Sequence, residues 1–221
     1  MLPMEIIDRV FKIALGEVIG SAFSLDIDDR QYLVTAKHVV QNIDGPTTIQ
    51  ILHNGNWTGL QVELVGHSDV DVTVLAPSAQ LTRKEMKLDA APGGFFAGQD
   101  VFFAGFPLDI VGQNIASPFP APLIKKAVIS GAAGQGYKFP FYLDGHVNRG
   151  FSGGPVYLQI PGQRQFVVSM IVSSFVFWPD PVYDGEKPSG LHVQQNSGIM
   201  QAYNIRNALE LISQNPIGLE L

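Results

Sequence analysis

The sequence contains no cysteine. This absence excludes disulfide bridges, cysteine-based zinc sites and a cysteine nucleophile, and it separates the chain from the small secreted domains that disulfides hold together. Stability must therefore come from a packed apolar core. Hydrophobic residues make up 46% of the 221 residues, which is enough to form one.

Charged residues are also scarce, at 15%, and the lysines and arginines form no cluster. With a formal net charge of -6 at pH 7, the chain lacks the basic surface that nucleic acids and anionic membranes require, so we expect neither partner. Charged side chains interrupt residues 1–15, which excludes the apolar run of a signal peptide or membrane span. Together with the missing cysteines, this predicts a cytoplasmic location.

The periodicity of apolar residues predicts one all-β domain over 1–221. An amphipathic helix over 1–16 is expected to open it, because apolar residues fall at helical spacing at Ile6, Ile7, Val10, Phe11 and Ala14. A membrane-surface anchor would need more basic residues on the polar face. From residue 18 onward, short apolar runs broken by Gly, Pro, Asn and Asp predict the strands of a barrel or sandwich. Residues 89–98 predict a linker between two halves, and 204–213 a closing helix.

A G-x-S-G-G-P motif surrounds Ser152 at residues 150–155. A serine hydroxyl becomes a nucleophile only where it is exposed, close to a base and next to donors that stabilise an oxyanion. Glycine allows the sharp backbone turn this requires, so the N–H groups of Gly150 and Ser152 are candidates for an oxyanion hole. The alternative is a plain glycine-rich turn in which Ser152 only hydrogen-bonds the backbone.

The motif resembles the nucleophile signature of trypsin-like serine proteases, in which a histidine and an aspartate precede the serine. Residues 33–38, L-V-T-A-K-H, are similar to the family's histidine segment, and residues 71–75, D-V-T-V-L, to its aspartate segment. The resemblance implies a catalytic triad in which His38 is the base, Asp71 orients it and Ser152 attacks. Asp69 is the alternative carboxylate, but the apolar pattern that follows favours Asp71.

The spacing of these motifs resembles the Deg/high-temperature-requirement proteases, and we expect the protease domain to be without a PDZ domain. It implies two six-stranded antiparallel β-barrels over 17–92 and 93–203, a C-terminal helix and tail over 204–221, and an active site between the barrels. There is no Ile-Val-Gly-Gly start, and Phe151 stands where zymogen-type members have an aspartate. We therefore expect no activation by propeptide cleavage. The loop at 147–151 must be ordered by other contacts, by substrate or by a partner.

The resemblance also implies a substrate pocket with its floor at His146 and its walls near Ser173 and Ser174. No carboxylate stands at that floor, which disfavours a preference for arginine or lysine because a buried cation would lack its counter-charge. His146 would select an acidic residue when protonated or close the pocket above a small apolar one. A structural histidine is an equal alternative. The polar, proline-containing residues 178–185 predict a loop near the pocket.

Three functions fit this sequence: a serine endopeptidase for protein or peptide substrates, a catalytically silent or partner-gated binding domain, and a self-processing or signalling protease with one target. The intact triad favours the first. The mechanism requires no cofactor. The remaining histidines lack ligand spacing, so no metal is expected either. A homo-oligomer formed through the opening helix or residues 119–123 stays open.

Overall fold

The computed structural model describes residues 3–85, 88–115, 117–160 and 165–221. Its strands are β1 (Val10–Leu15), β2 (Val18–Ile27), β3 (Arg30–Thr35), β4 (Gly45–His53), β5 (Asn56–Gly66), β6 (Thr73–Pro77), β7 (Asp100–Gly105), β8 (Leu123–Ala132), β9 (Phe141–Asp144), β10 (Pro155–Gln159), β11 (Phe166–Asp184), β12 (Lys187–Asn204) and β13 (Leu219–Glu220). The α-helices are α1 (Met4–Ile7) and α2 (Arg206–Gln214), and 3-10 turns cover Lys37–Val40 and Pro107–Asp109.

The strands form two antiparallel barrels, which confirms the all-β fold class. In the first barrel the order β3-β2-β1-β4-β5-β6 closes through a further pairing of β3 with β6, and β13 adds to the start of β3. In the second barrel β10-β11-β12-β9-β8-β7 form a closed ring. The closing helix α2 lies within two residues of its predicted position.

Of the helix predicted over 1–16, only the single turn α1 (Met4–Ile7) is present, and the prediction is wrong from Val10 onward. Residues Val10–Leu15 form β1, which pairs with β2 and β4, so the first barrel begins at Val10 rather than at residue 17. Phe11 and Ile13 pack inside the first barrel, whereas Val10 joins the cluster between the barrels. A strand buried on both faces has apolar residues at spacings that a short window cannot distinguish from a helix.

The loop predicted at 178–185 is also wrong. These residues belong to the hairpin of β11 and β12, a two-stranded ribbon that extends beyond the barrel. Pro179 and Pro181 lie opposite Gln194 and His192. Proline is tolerated there because a two-stranded ribbon leaves one edge of β11 without a partner strand, where no N–H is needed.

An apolar cluster joins the barrels and helix α2. It contains Val10, Phe23, Val34 and Val74 from the first barrel, Phe106, Tyr157 and Ile171 from the second, and Ile205, Ala208 and Ile212 from the C-terminal segment. Part of the predicted linker belongs to this assembly, because Ala90 bridges to Val168 of β11. At the two surfaces suggested for an oligomer, Ile6 and Ile7 are buried and Phe119 packs edge-on against Phe11, whereas Pro120, Ala121 and Leu123 are partly exposed. The oligomer stays a prediction.

Replacing Ile13 tests whether β1 is a core strand. Ile13 is 1% exposed and lies opposite Gly20 and Ile51. We expect Ile13→Ala to lower the free energy of unfolding by about 2–4 kcal/mol in chemical denaturation, because it leaves a cavity. The control Ile115→Ala alters a fully exposed side chain and should change it by less than about 0.5 kcal/mol. Equal effects of the two substitutions would contradict the placement of β1.

Candidate active site

A cleft between the two barrels is lined by both the implied nucleophile, Ser152, and the implied base, His38. It encloses a cavity of about 360 Å³. The first barrel lines it with Glu17, Val18, Ile19 and His38, and the second with Arg149, Gly150, Ser152, Ser173, Ser174, Phe175 and Phe177. Residues far apart in the sequence therefore meet at one surface.

His38 and Asp71 form a two-point contact. His38 lies in the 3-10 turn after β3, and Asp71 lies just before β6; these strands pair through Thr35 and Thr73, which places the two residues side by side. The His38 Nδ1 atom is 2.7 Å from Asp71 Oδ2, and the His38 backbone N–H donates to Oδ1 at 2.8 Å. The carboxylate thus fixes both the ring and the backbone of the histidine.

A third donor holds Asp71. The Ser173 hydroxyl donates to Asp71 Oδ2 at 2.6 Å. Burial alone would raise the pKa of Asp71, but the hydrogen bonds and charge of His38 and the bond from Ser173 outweigh it, so this pKa lies below its ordinary value. The carboxyl group of Asp71 is therefore ionised at neutral pH. Ser173, predicted as a pocket wall, also supports the carboxylate.

Asp69, the alternative carboxylate, binds Lys138 at 2.6 Å instead. The turn that carries Asp69 and leads to Asp71 is stabilised by His67, whose Nδ1 accepts from the backbone N–H groups of Asp69 at 3.0 Å and Val70 at 3.3 Å. An Nδ1 that accepts two bonds carries no proton, so His67 must be neutral in this arrangement. Burial and the charge of Lys138 lower the pKa of His67, which favours that form.

The Ser152 hydroxyl donates to the backbone oxygen of Ser173 at 2.8 Å. Among the described residues it forms no hydrogen bond with His38, although both line the cleft. Hydroxyl groups rotate freely, and bonds between a nucleophile and its base often tighten only when substrate is bound. The geometry brings the two residues to one cavity and leaves their hydrogen bond unmade.

The carbonyl groups of residues 149–152 are all engaged. Arg149 O accepts from Leu108 N, Gly150 O from Ser21 Oγ, Phe151 O from Gly154 N, and Ser152 O from Ser21 N. In a trans peptide the C=O and N–H groups point in opposite directions. The bonds to Arg149 O and Phe151 O therefore orient the N–H groups of Gly150 and Ser152, which have no acceptor in the described part of the chain.

The glycines of the motif are required by close backbone approach. Gly150 has φ of +103° and Gly153 has φ of +83°, which L side chains rarely adopt. A Cβ would collide with the oxygen of Phe106 at Gly150, with that of Ser21 at Gly153 and with that of Ala104 at Gly154. Phe151 is fully buried, edge-on to Phe103 at 4.9 Å, so an apolar anchor stands where the zymogen-type aspartate would be.

The structure separates the predicted substrate residues. Ser173 and Ser174 line the cleft, and Ser174 Oγ bonds Gln201 at 3.0 Å. His146 lies outside the cleft lining: its side chain is exposed, and its backbone oxygen accepts from Lys125 Nζ. Arg149 and Glu17 line the cleft but were not predicted. Arg149 directly precedes the motif, so its position in the sequence was a usable signal. Glu17 had none.

Two further features of the described residues bear on function. None of their helices is long and apolar enough to cross a membrane. Nor do they contain a group of three or more histidine, aspartate or glutamate side chains able to hold a metal ion.

Two six-stranded barrels, with a histidine–aspartate pair on one and a serine on the other, define the chymotrypsin-type fold. The trypsin-like peptidase domain family matches residues 20–160, and the chain belongs to this family. Comparison with curated proteins finds no match.

Solved structures share the fold. The HtrA-type protease AlgW with a tripeptide is 19% identical, with a TM-score of 0.60 over 97% of this chain and 62% of that chain. An inactive form of the Rv3671c protease of M. tuberculosis is 17% identical, with a TM-score of 0.60 over 96% of this chain and 90% of that one. The present chain therefore spans less than two thirds of the AlgW chain. The resemblance to the high-temperature-requirement type is confirmed in the fold.

Removing the Ser173 hydroxyl tests its support of Asp71. We expect Ser173→Ala to raise the pKa of Asp71, because the carboxylate loses a donor that favours its charged form. Titration of the Asp71 carboxyl carbon by NMR measures this. The matched control is Ser169→Ala on the same strand, whose hydroxyl donates to Val156 O and should leave the titration unchanged. A pKa that is the same in all three proteins would contradict the role of Ser173.

Variants of His67 test the turn that carries Asp71. Asparagine offers an acceptor near the place of Nδ1, whereas leucine of similar size does not, so His67→Leu should cost about 1–3 kcal/mol at pH 7.5 and His67→Asn less. The folded state lowers the pKa of His67, so the unfolded chain binds the proton more readily. Stability from the neutral ring is thus present above the unfolded pKa, about 6.5, and is lost as pH falls below it.

The groups around His67 are Lys37, Lys138, Asp69 and Glu210. Because the folded state lowers the pKa of His67, the difference in free energy of unfolding between wild type and His67→Asn should shrink as pH falls from 8 to 5 in denaturation curves. An advantage that stays constant with pH would mean that His67 does not titrate with folding.

Proposed function

We propose that this chain is a serine endopeptidase that cleaves peptide bonds through an acyl-enzyme, with His38, Asp71 and Ser152 as its triad. The observation that carries the proposal is that His38, which contacts Asp71, lines the same cleft as Ser152, next to two backbone N–H groups that have no acceptor among the described residues. Membership of the trypsin-like peptidase family supports it.

In the first half of the reaction, Ser152 Oγ attacks the carbonyl carbon of the scissile bond while His38 takes the hydroxyl proton. Asp71 stabilises the imidazolium that results. The N–H groups of Gly150 and Ser152 bind the oxyanion of the tetrahedral intermediate. The C–N bond then breaks, His38 gives its proton to the leaving amine, and an ester to Ser152 remains.

In the second half, water takes the place of the amine. The water oxygen attacks the ester carbonyl while His38 accepts a proton from the water, and a second oxyanion forms at the same two N–H groups. The bond to Ser152 Oγ breaks, and His38 returns the proton to the serine. The products are a carboxylic acid and the free enzyme, so the cycle needs no cofactor.

Protein or peptide segments in an extended form fit this cleft best. It is open, lies along β11 and is lined by Phe175 and Phe177, whose rings are 4.6 Å apart. These rings favour apolar side chains. The prediction that basic residues are disfavoured depended on His146 as the pocket floor, and it loses that basis because His146 lies outside the cleft lining, which includes Glu17 and Arg149.

A second candidate is a domain of this fold that is silent until substrate or a partner binds. It is favoured by the Ser152 hydroxyl, which bonds Ser173 O and not His38 among the described contacts. A protease restricted to one target would share the same resting geometry.

Labelling with a fluorophosphonate probe distinguishes these functions. We expect the adduct on Ser152 by mass spectrometry, none in Ser152→Ala, and a rate lower by about a thousandfold or more in His38→Ala, because the base is lost. The control Ser130→Ala removes an exposed serine outside the cleft and should label as wild type does.

Labelling that appears only after a peptide is added would support the gated candidate. No labelling under either condition would reject the proposed enzyme. If the chain labels, cleavage of proteome-derived peptide libraries separates a general endopeptidase from a protease with a single target.

A further inference from the structure

Ser21 of β2 contacts the nucleophile loop through two different groups. Its backbone N–H donates to Ser152 O at 2.8 Å, and its hydroxyl donates to Gly150 O at 2.7 Å. The side chain is fully buried. One residue of the first barrel thus holds the carbonyl groups of Gly150 and Ser152 in the loop of the second barrel, one on each side of the Phe151–Ser152 peptide.

The direction of the hydroxyl hydrogen follows from its partners. Ser21 Oγ is 3.1 Å from the backbone nitrogen of Phe106, which can only donate. The hydroxyl therefore accepts from Phe106 and gives its own hydrogen to Gly150 O. The backbone oxygen of Ser21 is itself fixed, since Thr35 Oγ1 donates to it at 2.7 Å. All polar groups of Ser21 are engaged.

Glycines admit Ser21 at this distance. A Cβ at Gly153 would collide with Ser21 O, and one at Gly105 would lie 2.7 Å from Ser21 Oγ. The glycines of the loop itself, Gly150, Gly153 and Gly154, also make it easy to rotate, because residues without a Cβ have few forbidden conformations. A flexible loop that must present two N–H groups in fixed directions needs restraint from outside.

We propose that Ser21 is a positioning residue that sets the oxyanion hole by clamping the carbonyl groups of Gly150 and Ser152. The clamp rests on the proposed peptidase function. It acts through the loop and does not touch substrate: with the carbonyls on both sides held, the intervening peptide keeps the Ser152 N–H turned toward the cleft. Loss of the hydroxyl leaves Gly150 O and Phe106 N without their partner.

The test compares Ser21→Ala with Ser24→Ala. Ser24 is equally buried on the same strand, but its hydroxyl contacts Arg9 and Thr82 and does not reach the loop. The melting temperature should fall by a similar amount in both variants. For Ser21→Ala we expect kcat to fall by about tenfold or more with KM within about twofold, because an oxyanion donor lost outright costs about 100- to 1,000-fold.

Affinity for a peptide aldehyde, which forms an oxyanion on Ser152, should fall by the same factor in Ser21→Ala, and affinity for the product peptide should not. A purely structural role would not produce this difference. If Ser21→Ala fails to fold, Ser21→Cys keeps a weak donor in a chain that has no other cysteine. It should show an intermediate kcat. Equal kinetics in the Ser21 and Ser24 variants would overturn the clamp.

Amide hydrogen exchange tests the clamp without catalysis. The hydrogen-bonded N–H groups of Phe106, Phe151 and Gly153 should exchange faster in Ser21→Ala than in wild type, whereas Ser24→Ala should leave them unchanged. Unchanged loop exchange in Ser21→Ala would overturn the proposal even in an active enzyme. A wild type that neither labels nor cleaves would reject the peptidase function, and the exchange data would then decide the clamp separately.

Discussion

The apolar cluster between the two barrels fixes the geometry of everything at the cleft. His38 and Asp71 belong to one barrel and Ser152 to the other, so any sliding of the barrels would separate base from nucleophile. Val10 and Phe23 from one side meet Phe106 and Ile171 from the other in this cluster. Close packing of this kind resists small displacements because each shift loses many contacts at once. Precision at the polar site thus depends on apolar burial beneath it.

Polar groups then refine what packing provides. Asp71 receives three hydrogen bonds, which keep it charged despite its burial, and each carbonyl from Arg149 to Ser152 has a donor. In the peptide units that carry the N–H groups of Gly150 and Ser152, the hydrogen bond is made to the carbonyl oxygen, that of Arg149 or Phe151. The N–H at the other end of each unit is therefore oriented and still available to an oxyanion. This is preorganisation, which lowers the reorganisation required during reaction.

Several features could be predicted from the sequence because they depend on local chemistry. The glycines around Ser152 predicted a sharp turn, because glycine adopts backbone angles that other residues rarely reach, and the short apolar runs predicted strands. The prediction for residues 10–15 failed because burial on both faces of β1 produces spacing that also suits a helix. The prediction of a loop at 178–185 is wrong because the prolines there lie on a free strand edge, and a local sequence window does not show where a strand edge falls. The prediction that His146 forms the pocket floor came from its distance in sequence from Ser152 in the family it resembles. A small change in the path of the intervening loop is enough to place such a residue outside the cleft.

The sequence by itself determined that this chain has an all-β fold, no disulfide support, and a serine motif with a histidine and an aspartate ahead of it. Only the tertiary structure decided which carboxylate meets His38, that Ser173 and His67 brace Asp71 and its turn, and that Ser21 reaches the nucleophile loop. The reason is physical. Residue type and local spacing fix conformational preference and chemical capacity, but a hydrogen bond between Ser21 and Gly150 depends on how two barrels pack, and no local pattern encodes that distance.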